Sequence, residues 1–100
     1  MTTDALDLHD IAARAAAASG AKRVILFGSR ARGDAREDSD VDLLLVLPDG
    51  ADWMQAGLAA YRTVPATVAF DILTLPESVF ERGETLFARI VALEGQVLYA

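Results

Sequence analysis

A chain of 100 residues with a formal charge of −6 and no cysteine excludes several classes of protein at once. It suits one small domain spanning 1–100, with no thiols for a disulfide framework or thiolate metal site, and its acidity argues against broad, sequence-independent nucleic-acid binding. No apolar run reaches the roughly 20 residues that a membrane span needs, and the acidic opening MTTDALDLHD lacks the pattern of a secretion signal, so the cytoplasm is the expected location.

Asp4 to Ser19 predicts a helix. Leu6, Leu8, Ile11, Ala12, Ala15 and Ala18 make its apolar stripe. Aspartates 4, 7 and 10 suit the positive end of the helix dipole, Thr3 is a weak cap, and Gly20 is a natural stop. His9, the only histidine, reads as an exposed helical residue, because no second histidine or carboxylate pattern accompanies it.

Arg23 to Phe27 predicts a strand whose unbroken apolar character implies burial on both faces. It stops at Gly28-Ser29. Ser29 to Arg32 then reads as one turn of helix closed by Gly33, and the outward-facing N–H groups at such a start suit a phosphate. Lys22, Arg23, Arg30, Arg32 and Arg36, five of the nine cations, flank this turn. They predict a cationic rim suited to a nucleoside triphosphate with its magnesium. Asp34 to Ser39 is a charged, exposed connector: Asp34, Glu37 and Asp38 read as solvated loop residues, Asp38 being the secondary candidate for orienting a metal, and Ser39 as hydrogen-bonding the turn into the next strand.

That next strand runs from Val41 to Leu47 and ends at Pro48-Asp49-Gly50, a strong turn signal. Asp40 and Asp42 open it. Side chains at i and i+2 of a strand share a face, roughly 7 Å apart, and can flank two hard cations held about 3.5–4 Å from each other. A carboxylate beside a wholly apolar run costs several kcal/mol unless paired or coordinated, which marks Asp42 as a metal ligand.

Ala51 to Tyr61 predicts a helix with Asp52 near its start. Trp53 and Met54 are assigned to packing in preference to a partner-facing patch. Ala66 to Leu75 predicts a third strand, with Asp71 on the face opposite Phe70 and Ile72. If this strand lies beside the second, Asp71 completes a triad with Asp40 and Asp42. Pro76 then starts a helix, Gly83 divides it, Glu84 to Leu93 continues it, and Gln96 to Tyr99 forms a last short strand with Tyr99 as a packing residue. The alternation of helices and strands gives an α/β (α+β) fold, a small mixed sheet with helices packed against it.

Gly28-Ser29, ten residues, then Asp40-Val41-Asp42 resembles the GS-x10-DxD signature of the nucleotidyltransferase superfamily that includes DNA polymerase beta. The short chain resembles the minimal (MNT) branch, known mostly as the antitoxin partner of HEPN-domain ribonuclease toxins. Asp71 and the terminal EGQVLY segment extend the likeness over most of the chain. The resemblance implies the nucleotidyltransferase palm, with the site at the strand ends. On this basis Gly28 and Ser29 are expected to hold the β- and γ-phosphates of ATP, with Arg30 and Arg32 beside them. Asp40 and Asp42 would hold the triphosphate-bound Mg2+, and Asp71 a second Mg2+. The resemblance implies AMP transfer from Mg-ATP to a tyrosine hydroxyl of a HEPN toxin, with release of pyrophosphate. Two alternatives stand beside it: an antitoxin that neutralises by binding alone, and transfer to a small-molecule acceptor.

Overall fold

The computed structural model describes residues 7–36 and 39–100. The roles given to Thr3, Asp4, Leu6, Glu37 and Asp38 therefore fall outside the described residues. In chain order the elements are α1 (Leu8–Ser19), β1 (Arg23–Phe27), α2 (Ser29–Arg32), β2 (Val41–Leu47), α3 (Trp53–Tyr61), β3 (Phe70–Pro76), α4 (Glu77–Arg82), α5 (Leu86–Glu94) and β4 (Gln96–Tyr99).

Val24-Ile25-Leu26 and Leu43 to Leu47 are buried throughout, so β1 and β2 belong inside a sheet covered on both faces. They pair antiparallel, with Arg23 opposite Val46 and Phe27 opposite Asp42. β3 joins β2 in parallel and β4 joins β1 antiparallel. The order is β3-β2-β1-β4, a mixed sheet as expected. On one face, Ile11, Ala12, Ala15 and Ala16 of α1 and Ala56 and Ala60 of α3 pack on Val24, Leu26, Val41, Leu43 and Leu45. On the other, Phe80, Phe87 and Val91 cover Ile25, Leu44 and Val46. Phe27 and Phe87 meet edge to face at 5.2 Å, worth about 0.5–1.5 kcal/mol beyond the area they bury. Each fully buried Leu or Val of β2 contributes roughly 1.5–3 kcal/mol.

The starts of α1, α3 and α5 are set by side-chain caps. Asp7 accepts the Asp10 N–H, Asp52 the Gln55 N–H and Thr85 the Ala88 N–H, so α3 begins at Trp53, where Ala51 was expected, and α5 at Leu86, where Glu84 was. The third strand is shorter than expected at its start. Its ladder opens with Val41 opposite Phe70, the Val41 N–H donating to the Ala69 carbonyl, and residues 66–68 form a turn and bend. Pro76, expected inside the helix, ends the strand opposite Leu47. Its ψ of 147° is extended and places it at the N-cap of α4.

The assignment of Trp53 and Met54 to packing is also corrected. They are 62% and 57% exposed, because α3 buries its alanines and turns these larger side chains outward. With Leu58, Tyr61 and Leu73 they line an apolar groove of about 690 Å³ along edge strand β3.

Candidate active site

β1 ends where β2 begins, and the antiparallel register brings the two halves of the motif together. Phe27 lies opposite Asp42, so the Gly28 turn passes over the Asp42 side chain. Gly28 has φ +77° and ψ −156°, a conformation reserved for glycine. A Cβ at that position would collide with the Asp42 carboxylate. The backbone can approach the carboxylate this closely only because residue 28 has no side chain. α2 follows directly, with the N–H groups of Ala31 and Arg32 bonded to the Gly28 carbonyl and Gly33 closing the turn at φ +85°.

The condition set for Asp71 is met: β3 lies beside β2, and Asp42 stands opposite Asp71 in the parallel ladder. Adjacent strands are about 4.7–4.9 Å apart, which brings the two carboxyls close enough to act on one another. Asp40 lies just before the strand, near enough for its charge to reach Asp42. Burial pushes the Asp42 carboxyl above the ordinary range; Asp71 pushes it further by hydrogen bonding and by charge, Asp40 adds its own charge, and Arg32 opposes them. Asp42 is only half-buried, and Asp40 and Asp71 are exposed. The expectation of a carboxylate at a buried strand edge is softened accordingly, since no polar or charged side chain among the described residues is buried.

The donor set suits a hard cation. Carboxylate oxygens are what magnesium takes, and the charges of Asp71 and Asp40, felt at Asp42, are only partly opposed by Arg32. As placed, however, no group of three acidic or imidazole side chains among the described residues is arranged to hold a metal ion. Asp42 and Asp71, opposite each other in the β2–β3 ladder, form the nucleus.

The cationic rim is smaller than expected. Lys22 and Arg23 lie at the opposite end of β1, where they pair with Glu77 and Glu81 at 3.1 Å each. A five-residue strand carries them roughly 16 Å from the turn. Arg32 remains at the site and also contacts Asp34 at 3.4 Å and Glu94 at 3.7 Å. Arg30 donates from two nitrogens to the Ser39 carbonyl. Ser39 does hydrogen-bond its turn: its Oγ accepts the Arg36 N–H at 2.8 Å. Two supports were not foreseen, Glu94 on Arg32 and Gln96, whose Nε2 donates to the Ala31 carbonyl at 3.0 Å. Both come from more than 60 residues downstream, and no local pattern announces such a contact.

Comparison with known proteins accords with this geometry. Residues 10–97 match the model of the nucleotidyltransferase domain family. A Methanocaldococcus jannaschii protein assigned by name as a protein adenylyltransferase is 37% identical over 79 residues, which is 78% of each chain. The crystal structure of a protein described as a nucleotidyltransferase, from Sulfolobus solfataricus, superposes with a TM-score of 0.58 at 27% identity, covering 75% of this chain and 68% of that one. A crystal structure of a toxin-antitoxin with AMP-PNP superposes at 0.66 over 95% of this chain and 74% of that one, and at 16% identity it speaks to the fold alone. The chain belongs to the nucleotidyltransferase domain family, and nucleotidyl transfer is its class of reaction.

Proposed function

We propose that this protein transfers AMP from ATP to a hydroxyl group of a partner protein, and that the partner is a HEPN-family toxin modified on tyrosine. The observation that carries the reading is the placement of Asp42 beneath the Gly28 turn and opposite Asp71 of β3. A protein acceptor is supported by the name of the M. jannaschii relative and by the toxin-antitoxin pairing in the structural neighbour. The groove along β3 supports it too: its lining, which includes Trp53, Met54, Leu58 and Leu73, holds no charged side chain and continues the strand that carries Asp71.

In this mechanism the triphosphate lies across the α2 turn, with Gly28 and Ser29 against its β- and γ-phosphates and Arg32 balancing its charge. Asp40 and Asp42 would hold one magnesium and Asp71 a second. Magnesium, when bound, neutralises the phosphate oxygens and lowers the pKa of the acceptor hydroxyl. Asp71, on the exposed edge strand, faces the acceptor and takes up its proton. The acceptor oxygen bonds to the α-phosphorus, the bond from that phosphorus to the bridging oxygen breaks, and pyrophosphate leaves. Positioning and charge account for the rate, as is general for transfer of phosphorus groups.

The alternative is an antitoxin that works by occupancy. Co-expression with the toxin separates the two. Transfer predicts that the toxin's mass rises by whole AMP units on a tyrosine, that the rise requires Asp40, Asp42 and Asp71, and that inhibition survives removal of this protein. Full neutralisation by a folded triple Asp→Asn variant, with unchanged toxin mass, would overturn transfer.

A further inference from the structure

Asp42 and Asp40 are held by different means. Asp42 is locked into the sheet on both sides, opposite Phe27 of β1 and Asp71 of β3. Asp40 precedes the first pair of either ladder, since the parallel one opens at Val41 and the antiparallel one ends at Asp42. The Val41 N–H donates to the Ala69 carbonyl at 2.9 Å and so restrains Asp40 from its C-terminal side, but sheet pairing leaves the peptide on its N-terminal side unspecified.

What specifies it comes from α2. Nε and a terminal nitrogen of Arg30 both donate to the carbonyl oxygen of Ser39, at 3.2 and 2.8 Å, in a part-buried contact. Ser39 is fixed again from its other side. Its Oγ accepts the Arg36 N–H at 2.8 Å, and its own N–H donates to the Arg36 carbonyl at 3.0 Å. The Ser39 carbonyl belongs to the peptide plane that contains the Asp40 nitrogen. A planar two-nitrogen fork on that oxygen restrains the plane, and with it the direction in which the Asp40 side chain leaves the backbone.

We infer that Arg30 is a positioning residue for Asp40: it couples the Gly28–Ser29 turn, through α2, to the carboxylate whose backbone the sheet holds from one side only. This reading rests on the proposed nucleotide site and replaces the expectation that Arg30 binds the triphosphate. The charge of Arg30 is secondary in this role. A lysine keeps the charge but is a single point donor that cannot make the fork. Indirect supports of metal-binding groups typically matter by about 10–100-fold in metal affinity.

The two roles separate in calorimetric titrations of ATP, with Mg2+ and with EDTA, into the wild type, Arg30→Lys, Arg30→Gln and Ser39→Ala, each confirmed folded by thermal unfolding. Positioning predicts that ATP affinity in EDTA stays within about twofold in all four. The gain from Mg2+ falls about tenfold in both Arg30 variants alike and by a smaller factor in Ser39→Ala, where Arg30 is intact. A triphosphate ligand predicts weakened ATP binding in EDTA for Arg30→Gln, partial retention in Arg30→Lys, and no effect of Ser39→Ala. That second pattern would overturn the inference. Should Arg30→Gln fail to fold, Arg30→Lys and Ser39→Ala still decide between the patterns. An absence of any Mg2+ gain in the wild type would instead overturn the nucleotide site on which the inference rests.

Discussion

Asp42 carries the strongest electrostatic signature among the site residues. Burial first, then Asp71 and Asp40, hold its carboxyl above the ordinary value of 3.8. The folded protein therefore binds more protons here than the unfolded chain between 3.8 and the raised value. The resulting penalty on the fold is absent on the acid side of that window, grows as pH rises through it, and is complete above it. Asp42→Asn removes the penalty. In EDTA at pH 7 its melting temperature should exceed the parent's by about 2–4 °C. This is a solvent-screened fraction of the roughly 4–8 °C that 1 kcal/mol moves a domain of this size. The difference should vanish near pH 3. Thermal unfolding across pH checks this, and a variant melting well below the parent at pH 7 would give Asp42 a structural role instead. The chemical identity of this site was legible in the sequence, because Gly28, Ser29, Asp40 and Asp42 stand close along the chain. The engagement of Arg30 with Ser39 was not: a side chain's partner depends on how a loop folds back, and spacing alone does not determine it.

At the scale of elements, apolar runs bounded by glycine, serine and proline placed β1 and β2 well, and Gly33 and Gly83 ended α2 and α4 as read. Ends governed by a partner were less visible. The β3 start depends on where β2 begins, and the fate of Lys22 and Arg23 depends on α4, more than 50 residues away. One junction is tight enough to test. α5 passes into β4 through Gly95 alone, and a Cβ there would lie 2.6 Å from both Ile25 Cγ2 and the Val91 carbonyl oxygen. Its φ of −73° is open to any residue, so the constraint is space and not backbone conformation. Gly95→Ala should cost about 1–3 kcal/mol through overpacking, read by chemical denaturation. A variant as stable as the parent would show that α5 and β4 can separate freely.

For the whole molecule, the sheet sets the division of labour. α1 and α3 seal one face, α4 and α5 cover part of the other, and the carboxylates occupy the end of that second face beside edge strand β3. The apolar groove continues along the same edge. No helix among the described residues is long and apolar enough to cross a membrane. The central claim is that these carboxylates and the Gly28 turn together form a site for a metal-bound nucleotide. Its most direct test is calorimetric titration of ATP into the parent and into Asp42→Asn and Asp71→Asn, with Mg2+ and with EDTA. The account predicts binding to the parent at least about tenfold tighter with Mg2+, or 1.4 kcal/mol, and loss of that gain in both variants. Equal affinity with and without metal in the parent, or a gain that survives both substitutions, would contradict it.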